Sequence, residues 1–279
     1  MNSTPSKAKN LTALINAINK KAGEKVIGRA KDWDNIEIKR LSTGLDVIDD
    51  ALGGGFPVGR VIELYGPPAG GKSLISMLTI AQAQREGQSC IYFDVEDSFS
   101  PQFAKMLGVD VDNLIIASLG IGEQIMDLIC KLLEAQPDLI VVDSIAAMVA
   151  QDVVNESLEK QYMALKARLM SKGLAKITAL NKKTTIIWIN QIRSTLIMYG
   201  PKITTPGGNA LKFYASLRLE VKKGEPIHFE DKKKQPIIGQ VVNFRVTKNK
   251  TAPPFRLGSF QFFYDTGEII EPKKKREKK

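Results

Sequence analysis

Gly66-Pro67-Pro68-Ala69-Gly70-Gly71-Lys72-Ser73 fits the pattern G-x-x-x-x-G-K-[ST]. Val61-Ile62-Glu63-Leu64-Tyr65, just before it, reads as a buried strand. Leu74 to Gln84, just after it, reads as a helix without Gly or Pro. Strand, glycine-rich loop and helix together make a phosphate cradle. The glycines let backbone N–H groups converge on phosphate oxygens, and the helix N-terminus adds a favourable partial charge. In such a cradle residues Gly66, Pro67, Pro68, Ala69, Gly70, Gly71, Lys72, Ser73 and Leu74 surround the nucleotide. Lys72 reaches the β- and γ-phosphates and Ser73 ligates Mg²⁺. The sequence therefore predicts a protein that binds a nucleoside triphosphate.

Working outward, the pattern from about Arg40 onward is α/β. Candidate strands are Val61–Tyr65, Cys90–Phe93, Leu139–Val142, Thr185–Asn190, Leu217–Val221 and Val241–Thr247, and helical stretches at Leu74–Gln84, Glu123–Ala135 and roughly Lys160–Leu180 separate the first four. Near-continuous apolar strands with helical crossovers predict a P-loop-type, mostly parallel twisted sheet covered by helices on both faces. The last strands are closely spaced, so the sheet is expected to finish antiparallel. Ligands of such sheets bind at the carboxyl ends of the strands, where the remaining motifs fall. Leu139-Ile140-Val141-Val142-Asp143-Ser144 is an apolar strand ending in an aspartate suited to the Mg²⁺ shell opposite Ser73. Ile91-Tyr92-Phe93-Asp94-Val95-Glu96-Asp97 ends in three carboxylates, one of which should orient the water that attacks the γ-phosphate; spacing does not choose among them. Trp188-Ile189-Asn190-Gln191-Ile192-Arg193 is followed by a long loop, Ser194 to Gly208, with Met198, Tyr199 and Lys202, a mixture suited to phosphate contact and base insertion. Lys248 and Lys250 follow the last long strand. Taken alone they fit a solvated basic turn as well as cations that neutralise a transferring phosphoryl group.

The 279 residues carry a net charge of +10, with an isoelectric point near 9.4. That balance fits a polyanionic partner, most often nucleic acid, and also a merely basic soluble enzyme. Lys232-Lys233-Lys234 and the run from Lys273 to Lys279 hold much of the excess. Cys90 and Cys130 lack metal-ligand spacing and read as reduced core residues. With no signal-peptide pattern and no apolar run of about 18 residues, cytoplasm is the expected location. Leu11, Leu14, Ile15 and Ile18 form a helical stripe ahead of Gly23, so a small amphipathic arm stands apart from the main domain. The expected organisation is an oligomerisation arm and linker over 1–39, an ATPase core over 40–270 and a disordered basic tail over 271–279.

These residues, in this order, resemble the RecA-type homologous recombinases. The resemblance runs from about Leu11 to Tyr264. It rests on Leu41-Ser42-Thr43-Gly44, Gly66 to Ser73, Val141-Val142-Asp143-Ser144, Ile189-Asn190-Gln191-Ile192-Arg193, Lys248-Asn249-Lys250 and, most specifically, Gly207-Gly208-Asn209-Ala210-Leu211-Lys212-Phe213-Tyr214-Ala215-Ser216. It implies a DNA-dependent ATPase, with ATP and Mg²⁺ as cofactors, that forms helical filaments of itself on single-stranded DNA and pairs that strand with homologous duplex DNA in recombination and repair of DNA damage, including the SOS response. It makes Glu96 the carboxylate that positions water and Gln191 the γ-phosphate sensor, with Lys248 and Lys250 acting on the ATP of the adjacent protomer. Phe103 and Tyr264 become nucleotide contacts. Met163, Arg168, Ser171, Arg193, Leu196, Gly207, Gly208 and Asn209 become DNA contacts, on loops spanning roughly Asn155 to Met163 and Ile192 to Gly208. The arm, Leu11 to Ile27, becomes the segment that docks on the next protomer.

Several positions depart from the family pattern. The first loop, Asn155 to Tyr162, lacks the usual glycines, Ser100 replaces an aspartate that helps read adenine, and Ala175 replaces a residue that is often basic. The family's small C-terminal domain is expected to be missing, with a basic tail in its place and weaker restraint of duplex binding. These departures leave open an alternative role as an ATP-binding, DNA-coating accessory protein with little strand exchange.

Overall fold

The computed structural model describes residues 4–23, 25–30, 38–151, 162–194, 203–231 and 235–272. The chain divides at Lys39/Arg40 into two units. The first contains α1 (Thr4–Ala22). Asn19 organises the segment after it: its Oδ1 accepts the Val26 and Ile27 N–H groups at 2.8 and 3.0 Å, and its Nδ2 donates to the Ile27 carbonyl at 2.8 Å. Leu11, Leu14 and Ile18 remain exposed along the helix.

The second unit begins with a two-stranded ribbon, β1 (Arg40–Leu41) and β2 (Phe56–Pro57), around α2 (Asp46–Leu52). The Leu41-Ser42-Thr43-Gly44 stretch has a structural task here. Ser42 Oγ, Thr43 Oγ1 and the Thr43 N–H all donate to the Asp49 carboxylate, at 2.6, 2.7 and 2.9 Å. Then come β3 (Val61–Gly66), α3 (Lys72–Arg85), β4 (Cys90–Asp94), α4 (Pro101–Met106), β5 (Ile115–Ser118), α5 (Gly122–Ala135) and β6 (Leu139–Asp143). After the undescribed residues 152–161 follow α6 (Tyr162–Leu180) and β7 (Thr185–Gln191). A two-stranded ladder, β8 (Arg193–Ser194) with β9 (Ile203–Thr204), precedes α7 (Ala210–Tyr214). The chain finishes with β10 (Leu217–His228), β11 (Ile237–Asn249), β12 (Leu257–Phe263) and β13 (Ile269–Ile270).

One sheet of nine strands has the order β13-β12-β11-β10-β3-β7-β6-β4-β5. The pairs from β10 to β5 are parallel, and those from β10 to β13 antiparallel, as expected from the close spacing of the last strands. The central strands are buried on both faces, and their side chains alternate between two cores. Ile62, Leu64, Tyr92, Val141, Ile187 and Ile189 join the core under α2, α3 and α4. Val61, Ile91, Phe93, Val142, Ile186 and Trp188 join the one under α5 and α6. Cys90 and Cys130 are buried free thiols, and burial pushes Cys90 up to about 12.

All six expected strands form. Beyond those six stand β5, a four-residue edge strand with little burial, β12 and β13, which follow turns containing Pro or Gly, and the two-residue strands β1, β2, β8 and β9. β10 and β11 are longer than their apolar runs suggest. β10 continues through Gly224 and Pro226 because register shifts absorb those residues against β11. Packing also extends past the expected core boundary at 270, since Glu271 Oε2 accepts the Val47 N–H at the start of α2 at 2.6 Å. The lysine runs 232–234 and 273–279 lie outside the described residues, as does most of the first expected DNA loop.

Candidate functional site

β3 delivers the chain at Gly66 into the phosphate loop. A Cβ on Gly66 would fall 1.9 Å from the Val221 carbonyl of the neighbouring strand, so no other residue fits. Ala69 (φ 54°) and Gly71 (φ 100°) take left-handed backbone conformations, which turn the loop tightly into α3. Lys72 opens that helix, and its Nζ donates to the carbonyls of Gly66 at 3.3 Å and Pro67 at 2.8 Å. Burial lowers its pKa, and the charges of Asp143 and Glu96 oppose that fall.

Ser73 Oγ donates to Asp143 Oδ2 at 2.6 Å, so the two residues assigned to the metal meet, one in the first turn of α3 and one at the carboxyl end of β6. The donor set is one hydroxyl and one carboxylate, both hard oxygen ligands. That set suits Mg²⁺, which takes few protein ligands and completes its octahedron with water and phosphate oxygens. A third group was not visible from the sequence. Tyr92, buried in β4, donates its hydroxyl to the same Asp143 oxygen at 2.9 Å. Burial raises the Asp143 pKa, and the Ser73 and Tyr92 hydrogen bonds hold it back. Tyr92→Phe is expected to raise the Mg²⁺ concentration for half-maximal binding of a fluorescent ATP analogue about tenfold, the usual cost of losing a partner that orients a ligand. A Mg²⁺ titration measures this, and an unchanged midpoint would show that Asp143 is oriented without the phenol.

The three carboxylates after β4 have separate surroundings. Asp94 accepts the Ser98 and Phe99 N–H groups, both at 3.0 Å, and folds its own loop. Asp97 accepts from Ser118 Oγ of β5 at 2.9 Å. Glu96 faces the ends of β6 and β7: its Oε1 accepts from Ser144 Oγ and from Gln191 Nε2, the latter at 3.1 Å. Ser144 is a further site residue for which the sequence carried no signal beyond following Asp143.

Phe103 of α4 and Tyr264 lie on either side of Phe262. The Phe103 and Phe262 ring centroids are 6.2 Å apart and perpendicular, and those of Phe262 and Tyr264 are 5.8 Å apart at 72°. Phe262 thus backs both expected nucleotide contacts. Ser100 caps α4, its Oγ accepting the Phe103 N–H at 3.2 Å.

Arg168 and Ser171 are exposed on α6, and the turn at Gly207, Gly208 and Asn209 packs on the same helix. A Cβ on Gly208 would lie 2.9 Å from Ala167 Cβ, and one on Gly207 would lie 3.1 Å from Met170 Cγ. Two expected DNA segments, far apart in the chain, therefore converge. Lys172 and Lys176 extend the Arg168 face along a groove of about 330 Å³ against α5; neither was singled out from the sequence. Leu196 lies outside the described residues, as do the side chains of Met163 and Arg193.

Lys248 Nζ donates to the carbonyls of Lys212 at 2.6 Å and Phe213 at 3.1 Å, while Lys250 is exposed and its N–H bonds the Ser216 carbonyl at 2.9 Å. The register puts Lys248 opposite Arg218, which pairs with Glu63, and Ser216 donates to the Val61 carbonyl. Both lysines therefore lie towards the amino end of β3, whereas the phosphate loop follows its carboxyl end. At about 3.3 Å per residue, Lys248 is level with a point roughly 10 Å before Gly66 along β3 and Lys250 with one roughly 16 Å before it.

The family model of the RecA N-terminal domain matches residues 9–269. The chain belongs to the RecA family. Protein RecA of Francisella tularensis subsp. novicida is 41% identical over 272 residues, covering 95% of this chain and 75% of that protein. The protein of the same name from subsp. holarctica gives the same values. The crystal structure of the RadB recombinase superposes with a TM-score of 0.62, covering 84% of this chain and all of that one at 21% identity. That likeness concerns the fold, which is the RecA-type P-loop core described above.

Proposed function

We propose that this RecA-family chain is a DNA-dependent ATPase that assembles into helical filaments on single-stranded DNA and exchanges strands with homologous duplex DNA. The observation that carries the reading is the 3.1 Å hydrogen bond from Gln191 to Glu96. It joins the carboxylate best placed to orient water to the residue that opens the segment returning at Gly207–Asn209 beside Arg168. Asn190, next to Gln191, donates its Nδ2 to the Pro206 carbonyl at 3.2 Å, so a change at the γ-phosphate has a short hydrogen-bonded route to the Gly207–Asn209 turn.

The roles proposed are those that the family resemblance implies. Lys72 and the backbone of Gly66–Leu74 hold the phosphates, and Ser73 and Asp143 hold Mg²⁺, which when bound neutralises charge on the β- and γ-phosphate oxygens. Glu96 takes the proton of the attacking water, and Gln191 reads the phosphate. Phe103 and Tyr264 hold the adenine. Lys248 and Lys250, level with the middle and the amino end of β3, serve the ATP of an adjacent protomer. Met163, Arg168, Ser171, Arg193, Leu196, Gly207, Gly208 and Asn209 contact single-stranded DNA mainly through its phosphates, leaving base edges free for pairing. The exposed stripe of Leu11, Leu14 and Ile18 docks on the next protomer; such a head-to-tail contact builds open helices.

The test is ATP hydrolysis with and without single-stranded DNA, with the same samples imaged. DNA-stimulated turnover on helical filaments is the expected result. Filaments without turnover would replace this reading with a DNA-coating role. Turnover on closed rings would overturn the assignment of the arm.

A further inference from the structure

Glu63 is a carboxylate at 0% exposure in the middle of β3, and the hydrolytic chemistry makes no use of it. An ionised carboxylate is costly to bury unless it is paired and hydrogen-bonded, so its partners indicate its task. Arg218 Nε donates to Oε2 from β10, and Asn190 Nδ2 donates to Oε1 at 3.1 Å from β7. Three adjacent strands thus share one buried charge.

Asn190 is also fully buried, and every group of its amide has a partner. Nδ2 donates to Glu63 and, at 3.2 Å, to the carbonyl of Pro206, while Oδ1 accepts the Gln191 N–H at 3.0 Å. Those partners allow one orientation only. A flipped amide would put NH₂ against the Gln191 N–H and oxygen against the Glu63 carboxylate. Pro206 directly precedes Gly207, Gly208 and Asn209. On the other side, the Arg218 guanidinium lies 4.4 Å over the Tyr65 ring. The Tyr65 hydroxyl bonds Thr247 Oγ1 at 3.0 Å, next to Lys248.

We infer that Glu63 is a positioning residue that couples the nucleotide side of the site to its DNA side. By fixing the Asn190 amide it clamps the Pro206 carbonyl, and with it the Gly207-Gly208-Asn209 turn, in set register with Gln191. The inference rests on the functional reading above, in which Gln191 serves ATP and that turn serves DNA. Without the carboxylate, the amide loses the one partner that ties it to the neighbouring strand and is held only by the Pro206 carbonyl and the Gln191 N–H. The turn and Gln191 then move independently, so each event persists while the linkage between them fails.

Two variants separate coupling from mere support. Glu63→Gln keeps the shape but offers one acceptor where two donors converge. Asn190→Ala keeps the Glu63–Arg218 pair and removes only the clamp; it carries the test alone if Glu63→Gln does not fold. The measurements are steady-state ATP hydrolysis with and without oligo(dT), oligo(dT) affinity in ATP and in ADP, and the melting temperature. In both variants the unstimulated kcat and KM should stay within about twofold, while stimulation by DNA falls about tenfold and the ATP-to-ADP affinity ratio approaches one, a loss in the usual range of coupling between sites. Variants that keep the parent's stimulation and affinity ratios would overturn the inference. So would unstimulated and stimulated rates that fall in parallel with the melting temperature, since that is a structural loss. A parent protein with no DNA stimulation would overturn the functional reading, and the inference with it; a stimulated parent with unchanged variants overturns the inference alone.

Discussion

A Glu96→Gln protein should bind ATP as the parent does and hydrolyse it about 10²- to 10⁴-fold more slowly, the range over which a positioned general base contributes. The geometry makes this substitution a clean one. Glu96 is exposed to the site rather than packed in a core, and its Oε1 accepts from Ser144 and Gln191. Glutamine keeps one acceptor and nearly the same shape, so the loop after β4, which Asp94 folds through its bonds to Ser98 and Phe99, has no reason to move. What disappears is the capacity to take a proton from water. Single-turnover hydrolysis beside equilibrium binding of a fluorescent nucleotide measures both halves. Asp97→Asn is the control, because that carboxylate is engaged with Ser118 on the edge strand. Normal turnover in Glu96→Gln would refute the assignment of the base, and a comparable loss in Asp97→Asn would point to general damage of the loop.

Lys72→Ala should weaken ATP binding about 10²-fold or more and abolish ATP-dependent assembly, as expected when one partner of a desolvated charge pair is truncated. Lys72 is only 7% exposed, and burial already lowers its pKa, so its ammonium is held in the site at a cost that phosphate oxygens would offset. Losing it should not unfold the protein. It stands at the first position of α3, where alanine is an equally good helix former, and among the described residues it forms no ion pair. Isothermal calorimetry with ATP, beside thermal melting without nucleotide, separates the two effects. An unchanged melting temperature with lost binding is the expected pattern. Retained affinity would show that the backbone of the loop alone carries the phosphates.

The phosphate loop could be read directly from the chain because all its parts are contiguous. A strand, a glycine turn and a helix over Val61–Arg85 need no partner to declare themselves. The same holds for the apolar strand that delivers Asp143, and for the glycine-rich run at Gly207. Other features were hidden because local signals for them are weak or absent. β5 has four residues and little burial, and α4 is a six-residue helix capped by Ser100. Tyr92 looks like any core aromatic until β4 and β6 pair and bring its hydroxyl to Asp143. Phe262 lies on β12, whose alternation is broken by glycine and polar residues, and its place between Phe103 and Tyr264 comes from packing on α4.

By itself, the sequence determined that this protein has a nucleotide-binding α/β core, which strands form it, and which family its motifs resemble. Each of those properties is carried by neighbouring residues or by the period of apolar side chains. Only the tertiary structure decided which of three nearby carboxylates faces Gln191, that Lys248 and Lys250 lie level with the middle and amino end of β3, before their own phosphate loop, and that Glu63 gathers Asn190 and Arg218 from strands 127 and 155 residues away. Such choices depend on strand order and register across the sheet, and a one-residue slip in any pairing would turn those side chains to the opposite face.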